Sequence, residues 1–390
     1  SLLFTLYSSL FTPHSSPFTL HSSLFTLHPS LFTLHPSLFT LHSSLFTHQV
    51  LTDQGRVANI IMGTLREGKL RRKQDMDVVG FGALNVDLIY EVDLASLRIE
   101  AGRERMVKDE EFKRFLKLLK EKGKLKSKSG GGSAANTIYA LAKMGFSTGY
   151  VGKVGRDEEG RFLVSELKMA GVDTSRIKQD ERSGLCIALS DRKGERSILV
   201  MPYANDELSY SEIDLDYLNR AKLVHITSFA GDRPFEVQKK AVKKITTKIS
   251  FNPGEPHIKR GIGQLSPILE RTFILFATEK EIEMLTGQDY RNGLRKLSRF
   301  GIKIFVCTLG EKGSYILSEE EELQVPAEKV EVVDTTGAGD VYAAGFLAGL
   351  LKGFSLSDSA KLATKMACES IRGYGRQRYP DREFFSRIKV

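Results

Sequence analysis

Apolar residues come in short runs along most of the chain, and the runs alternate between two periods. Residues 77–83 (DVVGFGA), 149–154, 222–227, 272–276 and 303–308 are brief, rich in Val, Ile and Phe, and read as buried strands. Residues 134–144, 158–169, 235–245, 279–285, 338–351 and 358–371 repeat their apolar positions every three or four residues and read as helices. Strands and helices in alternation predict an α/β fold with a central, mostly parallel sheet flanked by helices. Residues 184–200 break the rhythm. Two β-rich runs there enclose Asp191-Arg192-Lys193-Gly194, which predicts a hairpin. With residues 87–93 (DLIYEVD) it is expected to form a small separate sheet.

The first 47 residues follow another rule. SLFTLHP occurs at Ser23 and Ser30 and SLFTLHS at Ser37, a seven-residue repeat. It is a poor coiled coil, because charges are missing, prolines recur, and Ser, Thr and Phe are weak helix formers. Polar residues interrupt it too often for a membrane span, and no arginine precedes Arg56, so it makes a poor transit peptide. It reads as low-complexity sequence outside the fold, with Met62 or Met76 as the expected true start. REGKLRRK (residues 66–73) follows as a basic linker. The expected division is a disordered stretch over 1–75 and one folded domain over 76–390.

Charge and rare residues narrow the chemistry. The net charge is +9, with +3 from residues 1–75 and +6 from residues 101–129, so the rest is neutral. The basicity is local and does not predict a nucleic-acid partner. FKRFLKLLK within the basic stretch is amphipathic and reads as a solvated helix. Of eight histidines, only His225 and His257 lie beyond residue 75, so histidine-centred catalysis starts weak. Cys186, Cys307 and Cys368 are far apart in apolar segments, as expected of reduced thiols in a cytoplasmic protein.

VVDTTGAGDVYAAGF (residues 332–346) carries the most chemistry. Residues 330–333 read as a strand end and 338–351 as a buried helix, which places Gly337, Ala338 and Gly339 at the turn between them. Helix-start amides lack internal partners and carry partial positive charge, so this turn suits an anion, above all phosphate. A carboxylate beside that anion, Asp340, has a use as a proton acceptor. GGGSAANTIYALAKMG (residues 130–145) is a second glycine turn into a helix, with Ser133 and Asn136 near its start. Asn85 and Asp87 are polar groups suited to vicinal sugar hydroxyls. GFGALN (residues 80–85) lacks the third glycine of a dinucleotide fingerprint and precedes a strand, and no Walker-type phosphate loop is present.

These strings resemble the PfkB/ribokinase family of carbohydrate and nucleoside kinases, over residues 76–390. GALNVD is similar to the family's first-strand motif, GGSAAN to its Gly-Gly signature and DTTGAGD to its C-terminal signature. SGLCIALSDRKGERSI is similar to its lid hairpin and CTLGEKGSY to its nucleotide-side loop. The resemblance implies a ribokinase-like fold with a small β-sheet lid, strands at about 87–100 and 184–201, and leaves open a homodimer through that lid. It implies transfer of the γ-phosphoryl group of ATP, with Mg²⁺, to a small sugar, and leaves open whether K⁺ assists. Asp340 is then the base and the amides of Gly337, Ala338 and Gly339 the anion hole. Asn85, Asp87, Gly131, Gly132 and Asn136 hold the acceptor, and Thr308, Gly310 and Gly313 line the nucleotide. TEKE (residues 278–281) departs from the family's Asn-x-x-Glu by placing Thr278 first, but keeps Glu281 as the metal-side carboxylate. A nucleoside kinase of the same fold is the nearest alternative, and a non-catalytic binding protein the more distant one.

Overall fold

The computed structural model describes residues 75–97, 104–107, 109–190 and 196–388. The N-terminal repeat, the basic linker and the hairpin tip at 191–195 lie outside the described residues, and with them the expected disorder of 1–75. In chain order the strands are β1 (Met76–Phe81), β2 (Asn85–Glu91), β3 (Glu104–Met106), β4 (Lys124–Gly131), β5 (Thr148–Gly155), β6 (Asp173–Asp180) and β7 (Gly184–Ser190). They continue as β8 (Arg196–Met201), β9 (Ala221–Thr227), β10 (Lys248–Asn252), β11 (Thr272–Thr278), β12 (Ile304–Thr308), β13 (Ser314–Ser318) and β14 (Glu322–Val325). The helices that matter for the site are α1 (Asp109–Lys122), α2 (Ser133–Lys143), α3 (Glu158–Met169), α4 (Glu279–Thr286), α5 (Ala338–Leu351) and α6 (Leu356–Ser370).

Nine strands form one sheet in the order β14-β13-β12-β11-β10-β9-β1-β5-β6. Neighbours from β6 to β12 are parallel, and β13 and β14 are added antiparallel. The central strand β1 shows why near-continuous apolar runs were needed. Val78 faces a core shared with Ile138 of α2, Phe346 of α5 and Met366 of α6, while Val79 and Phe81 face a second core with Val224, Ile226 and Phe251. A strand covered on both faces has no polar side to show. Helix α5 is buried from Val341 to Leu350, so its alanines and glycines let α2 and α6 approach.

The lid is a separate five-stranded sheet, β3-β8-β7-β2-β4. It starts at Asn85, two residues before the expected 87, and residues Leu94–Leu97 form a short helix instead of more strand. Helix α1 lies on one lid face. Its Phe112, Phe115 and Leu119 pack with Tyr90, Ile187, Leu189 and Leu199, while its charges face solvent. Asp87 points to the other face, since residues on a strand alternate. The face that a lid-mediated dimer would use on the α1 side is thus covered by the protein's own helix.

Two expectations are corrected. Residues 330–333 are not a strand: Val332 and Val333 are exposed, and the amides of Val333 and Asp334 donate to the Ile371 carbonyl at 2.8 and 3.1 Å. The chain has already left the sheet at β14, and β-branched residues make a strand only where an edge is available. The helix expected over 235–245 runs Asp232–Val242, with Pro234 in its first turn, where a missing N–H costs nothing.

Candidate active site

The site is built where two glycine-entered helices meet at the carboxyl ends of the strands. Helix α5 begins at Gly337, whose φ of 77° is left-handed. A Cβ there would stand 2.3 Å from the Tyr379 hydroxyl, so both backbone and space demand glycine. The Ala338 amide donates to the Thr335 carbonyl at 3.2 Å, and Val341 donates to Gly337 at 3.0 Å. Among the described residues nothing accepts from the amides of Gly337, Gly339 or Asp340. The expected anion hole is therefore open at Gly337 and Gly339, while Ala338's amide is engaged in the turn. Space around Gly339 is clear: no atom comes within 4 Å of where its Cβ would be.

Helix α2 begins at Gly132, and its first turn faces Asp340. Ser133 Oγ donates to Asp340 Oδ1 at 2.6 Å, and Asn136 Nδ2 donates to Oδ2 at 2.9 Å. Thr137 Oγ1 adds a bond to the Asp340 carbonyl at 3.1 Å. Burial pushes the Asp340 carboxyl up to about 6, while those two side-chain bonds and the Arg376 charge hold it down and Glu281 adds to the rise. A half-buried carboxylate with one donor on each oxygen keeps lone pairs for a further proton.

Asp87 comes from the lid. On β2 it pairs with Ser129 of β4 and Cys186 of β7. A Cβ on Gly131 would lie 2.0 Å from the Asp87 Cγ, so the close approach of these two requires glycine. Burial pushes Asp87 up to about 7. Arg376 opposes this, and the charges of Asp340, Glu166 and Asp334 add to it. Asn85, two residues earlier, receives Asn205 Nδ2 at 3.0 Å. Asn205 also clasps Leu84, accepting from its amide at 2.8 Å and donating to its carbonyl at 2.9 Å, and so pins the strand where the lid leaves the body.

The expected nucleotide-side residues form a second group. Thr308 ends β12 beside Thr278 of β11, and a short turn over Gly310–Lys312 leads to Gly313 and into β13. They share no hydrogen bond with Asp340. Glu281 sits between the groups. It closes a capping box at the start of α4, accepting the Thr278 amide at 2.7 Å, and the Glu281 amide donates to Thr278 Oγ1 at 3.2 Å. Burial raises its carboxyl above the usual range. Thr278 thus serves α4 as a helix cap. Among the described residues no group of three or more His, Cys, Asp or Glu is arranged to hold a metal.

Arg376 was not foreseen. It is buried at 6% exposure, donates Nε to Asn136 Oδ1 at 3.0 Å and Nη1 to Glu166 Oε2 at 2.7 Å, and covers the Tyr139 ring. Its one signal was a pair of arginines, Arg376 and Arg378, in the irregular tail GYGRQRYP. Asp334, whose Oδ1 takes Thr336's amide and hydroxyl, is buried under the same tail, with the Gly375 amide at 3.3 Å.

Residues 110–382 match the profile described as "pfkB family carbohydrate kinase". The chain belongs to this family. An uncharacterized sugar kinase of Archaeoglobus fulgidus is 40% identical over 239 residues, 60% of this chain and 95% of that protein. Among solved structures, adenosine kinase from Sinorhizobium meliloti superposes with a TM-score of 0.73 at 26% identity, covering 80% of this chain and 98% of that one. A sugar kinase from Pyrococcus horikoshii, solved in complex with ATP, gives 0.62 at 26% identity, covering 80% and 98%. The ribokinase-like fold and the two-sheet architecture of this pfkB family kinase agree with the sequence reading.

Proposed function

We propose that residues 76–390 are an ATP-dependent kinase that transfers a phosphoryl group to a hydroxyl of a small sugar, with Asp340 as its base. The observation that carries this is the Asp340 carboxylate. It is fixed by Ser133 and Asn136 at the mouth of a helix whose Gly337 and Gly339 amides are free. The acceptor hydroxyl lies between Asp340 and the lid, held by Asp87, Asn85 and Asn136 over the glycine turn of Gly131 and Gly132. Asp340 takes its proton as the oxygen attacks, and the free amides stabilise charge on the transferring group. Thr308, Gly310 and Gly313 line the nucleotide. Glu281 would offer a bound Mg²⁺ one carboxylate oxygen, the hard type of ligand that this ion takes. When bound, Mg²⁺ supplies charge neutralisation on the phosphates. The lid excludes water from the acceptor.

A nucleoside acceptor is the second reading, favoured by the likeness to an adenosine kinase. ATP consumption against a panel of hexoses, pentoses, their monophosphates and nucleosides separates the two. A sugar as best acceptor supports the main reading and a nucleoside the second. Absence of acceptor-dependent ATP consumption from a folded protein sinks both.

A further inference from the structure

We propose that Arg376 is a positioning residue of the catalytic centre: it locks the Asn136 amide so that its NH₂ end is presented to Asp340. The proposal rests on Asp340 being the site's functional carboxylate and adds what orients it.

A side-chain amide has two ends of nearly equal shape. Turned one way, Asn136 donates to Asp340, and turned the other, it sets an oxygen against a carboxylate. Nothing in Asn136 itself selects between these. Ionised Asp340 favours the first, and Arg376 enforces it in either protonation state of Asp340, because a guanidinium only donates and stays charged at any relevant pH. Its Nε bond to Asn136 Oδ1 at 3.0 Å therefore forces Nδ2 toward Asp340 Oδ2, at 2.9 Å. The arginine is itself held. Nη1 meets Glu166 Oε2 at 2.7 Å, the same oxygen accepts the Gly130 amide at 2.8 Å, and the Tyr139 ring lies 4.5 Å from the guanidinium carbon. One rigid chain of contacts thus joins the C-terminal tail, α3, the glycine turn, α2 and α5.

A purely structural ion pair accounts poorly for this geometry. Arg376 Nη2 is buried and has no hydrogen-bond partner. Leaving a buried donor unpaired is costly. The guanidinium is aimed at Asn136 and Glu166 at the expense of its third side. It is also the cation among the acids here: Asp87 from β2, Asp340 from α5, Glu166 from α3 and Asp334 from the loop before α5, with Glu281 of α4 acting on Asp340. The tyrosines Tyr139 and Tyr379 face the same group, and burial raises both hydroxyls. Arg376 therefore opposes the burial that raises Asp340 and Asp87.

The test uses the full chain with ¹³C-labelled aspartate carboxyls and ¹⁵N-labelled asparagine. Asp340→Asn assigns the Asp340 signal and Asn136→Ala the amide. Wild type is expected to titrate near 6 at Asp340. Arg376→Leu is expected to raise this by about one pH unit, and to broaden the Asn136 amide signal as the amide turns. In the Asn136→Ala background the same arginine change is expected to move Asp340 less, because the relay is already cut. Arg376→Lys, which keeps charge but loses the fork, is expected to hold the titration nearer wild type and still free the amide. An unshifted Asp340 in folded Arg376→Leu, or an equal shift in both backgrounds, overturns the proposal. If Arg376→Leu does not fold, Arg376→Lys decides: an amide signal as sharp as in wild type overturns it. None of these readouts needs an acceptor, so they stand apart from whether Asp340 acts as the base.

Discussion

Asn136 and Asp340, 204 positions apart, are joined by a single bond of 2.9 Å from Nδ2 to Oδ2. Each stands in the first turn of a helix entered through glycine. The proposed kinase site is the meeting of two such helix starts, one bringing polar side chains and the other a carboxylate and free amides. The consequences are open to direct measurement.

Ser133→Ala removes the 2.6 Å donor that holds Asp340 down. Its carboxyl should then rise above about 6, so the base is protonated over more of the acid range. A bond to a charged group contributes roughly 1.5–3 kcal/mol. Turnover should fall about tenfold near pH 6 and less near pH 8. A pH–rate profile with its acid limb unmoved would speak against this role for Ser133.

Asp87 carries a stability signature with a definite sign. Its folded carboxyl is raised to about 7 from a usual value of 3.8. The folded state therefore binds the proton more tightly than the unfolded state. The stability tied to that proton is full below about 4 and is lost as pH rises through about 7. Asp87→Asn should stabilise the protein near pH 8, by about 1–2 kcal/mol once the half-buried group's solvent contact is allowed for. The gain should vanish near pH 4. The same change should raise the acceptor KM more than that of ATP. Thermal melts across pH check the first claim and steady-state kinetics the second.

Gly337→Ala places a methyl 2.3 Å from the Tyr379 hydroxyl at a φ of 77°. Strain of this kind costs about 1–3 kcal/mol. A fall in Tm together with a fall in kcat is expected, since the same turn shapes the anion hole. A melt and a kcat both equal to wild type would show that the turn tolerates a side chain.

Helix α1 covers the lid face opposite Asp87, with Phe115 at 6% exposure. The protein should sediment as a monomer. Phe115→Ala should cost about 3–5 kcal/mol of lid packing and raise the acceptor KM without changing the sedimenting species. A dimer that this change dissociates would place the lid face at a subunit interface instead.

The sequence showed those parts of the site whose chemistry is local. Gly337 to Asp340 is a turn with an acid on it, and its meaning survives without neighbours. The central strands were equally legible, because Val78 and Val79 must both be buried. Arg376 was hidden because its partners, Asn136 and Glu166, are 240 and 210 residues away, and no periodicity links them. Strand β4 was not read as a strand at all. Its lysines are partly or largely exposed at the lid edge while the short Ser127 and Ser129 are buried, so it carries no apolar alternation. Strands β13 and β14 are similarly short and lie at the edge of the large sheet.

The central claim is that Asp340 takes the proton from the acceptor hydroxyl, and Asp340→Asn on the best acceptor from the substrate panel tests it most directly. The side chain keeps its size and helix position but loses the base, so kcat should drop by about 10²–10⁴-fold. The KM values for ATP and acceptor should stay close to wild type, because Asp87 and backbone amides still hold them. An Asp340→Asn enzyme that turns over at near wild-type kcat would contradict the account.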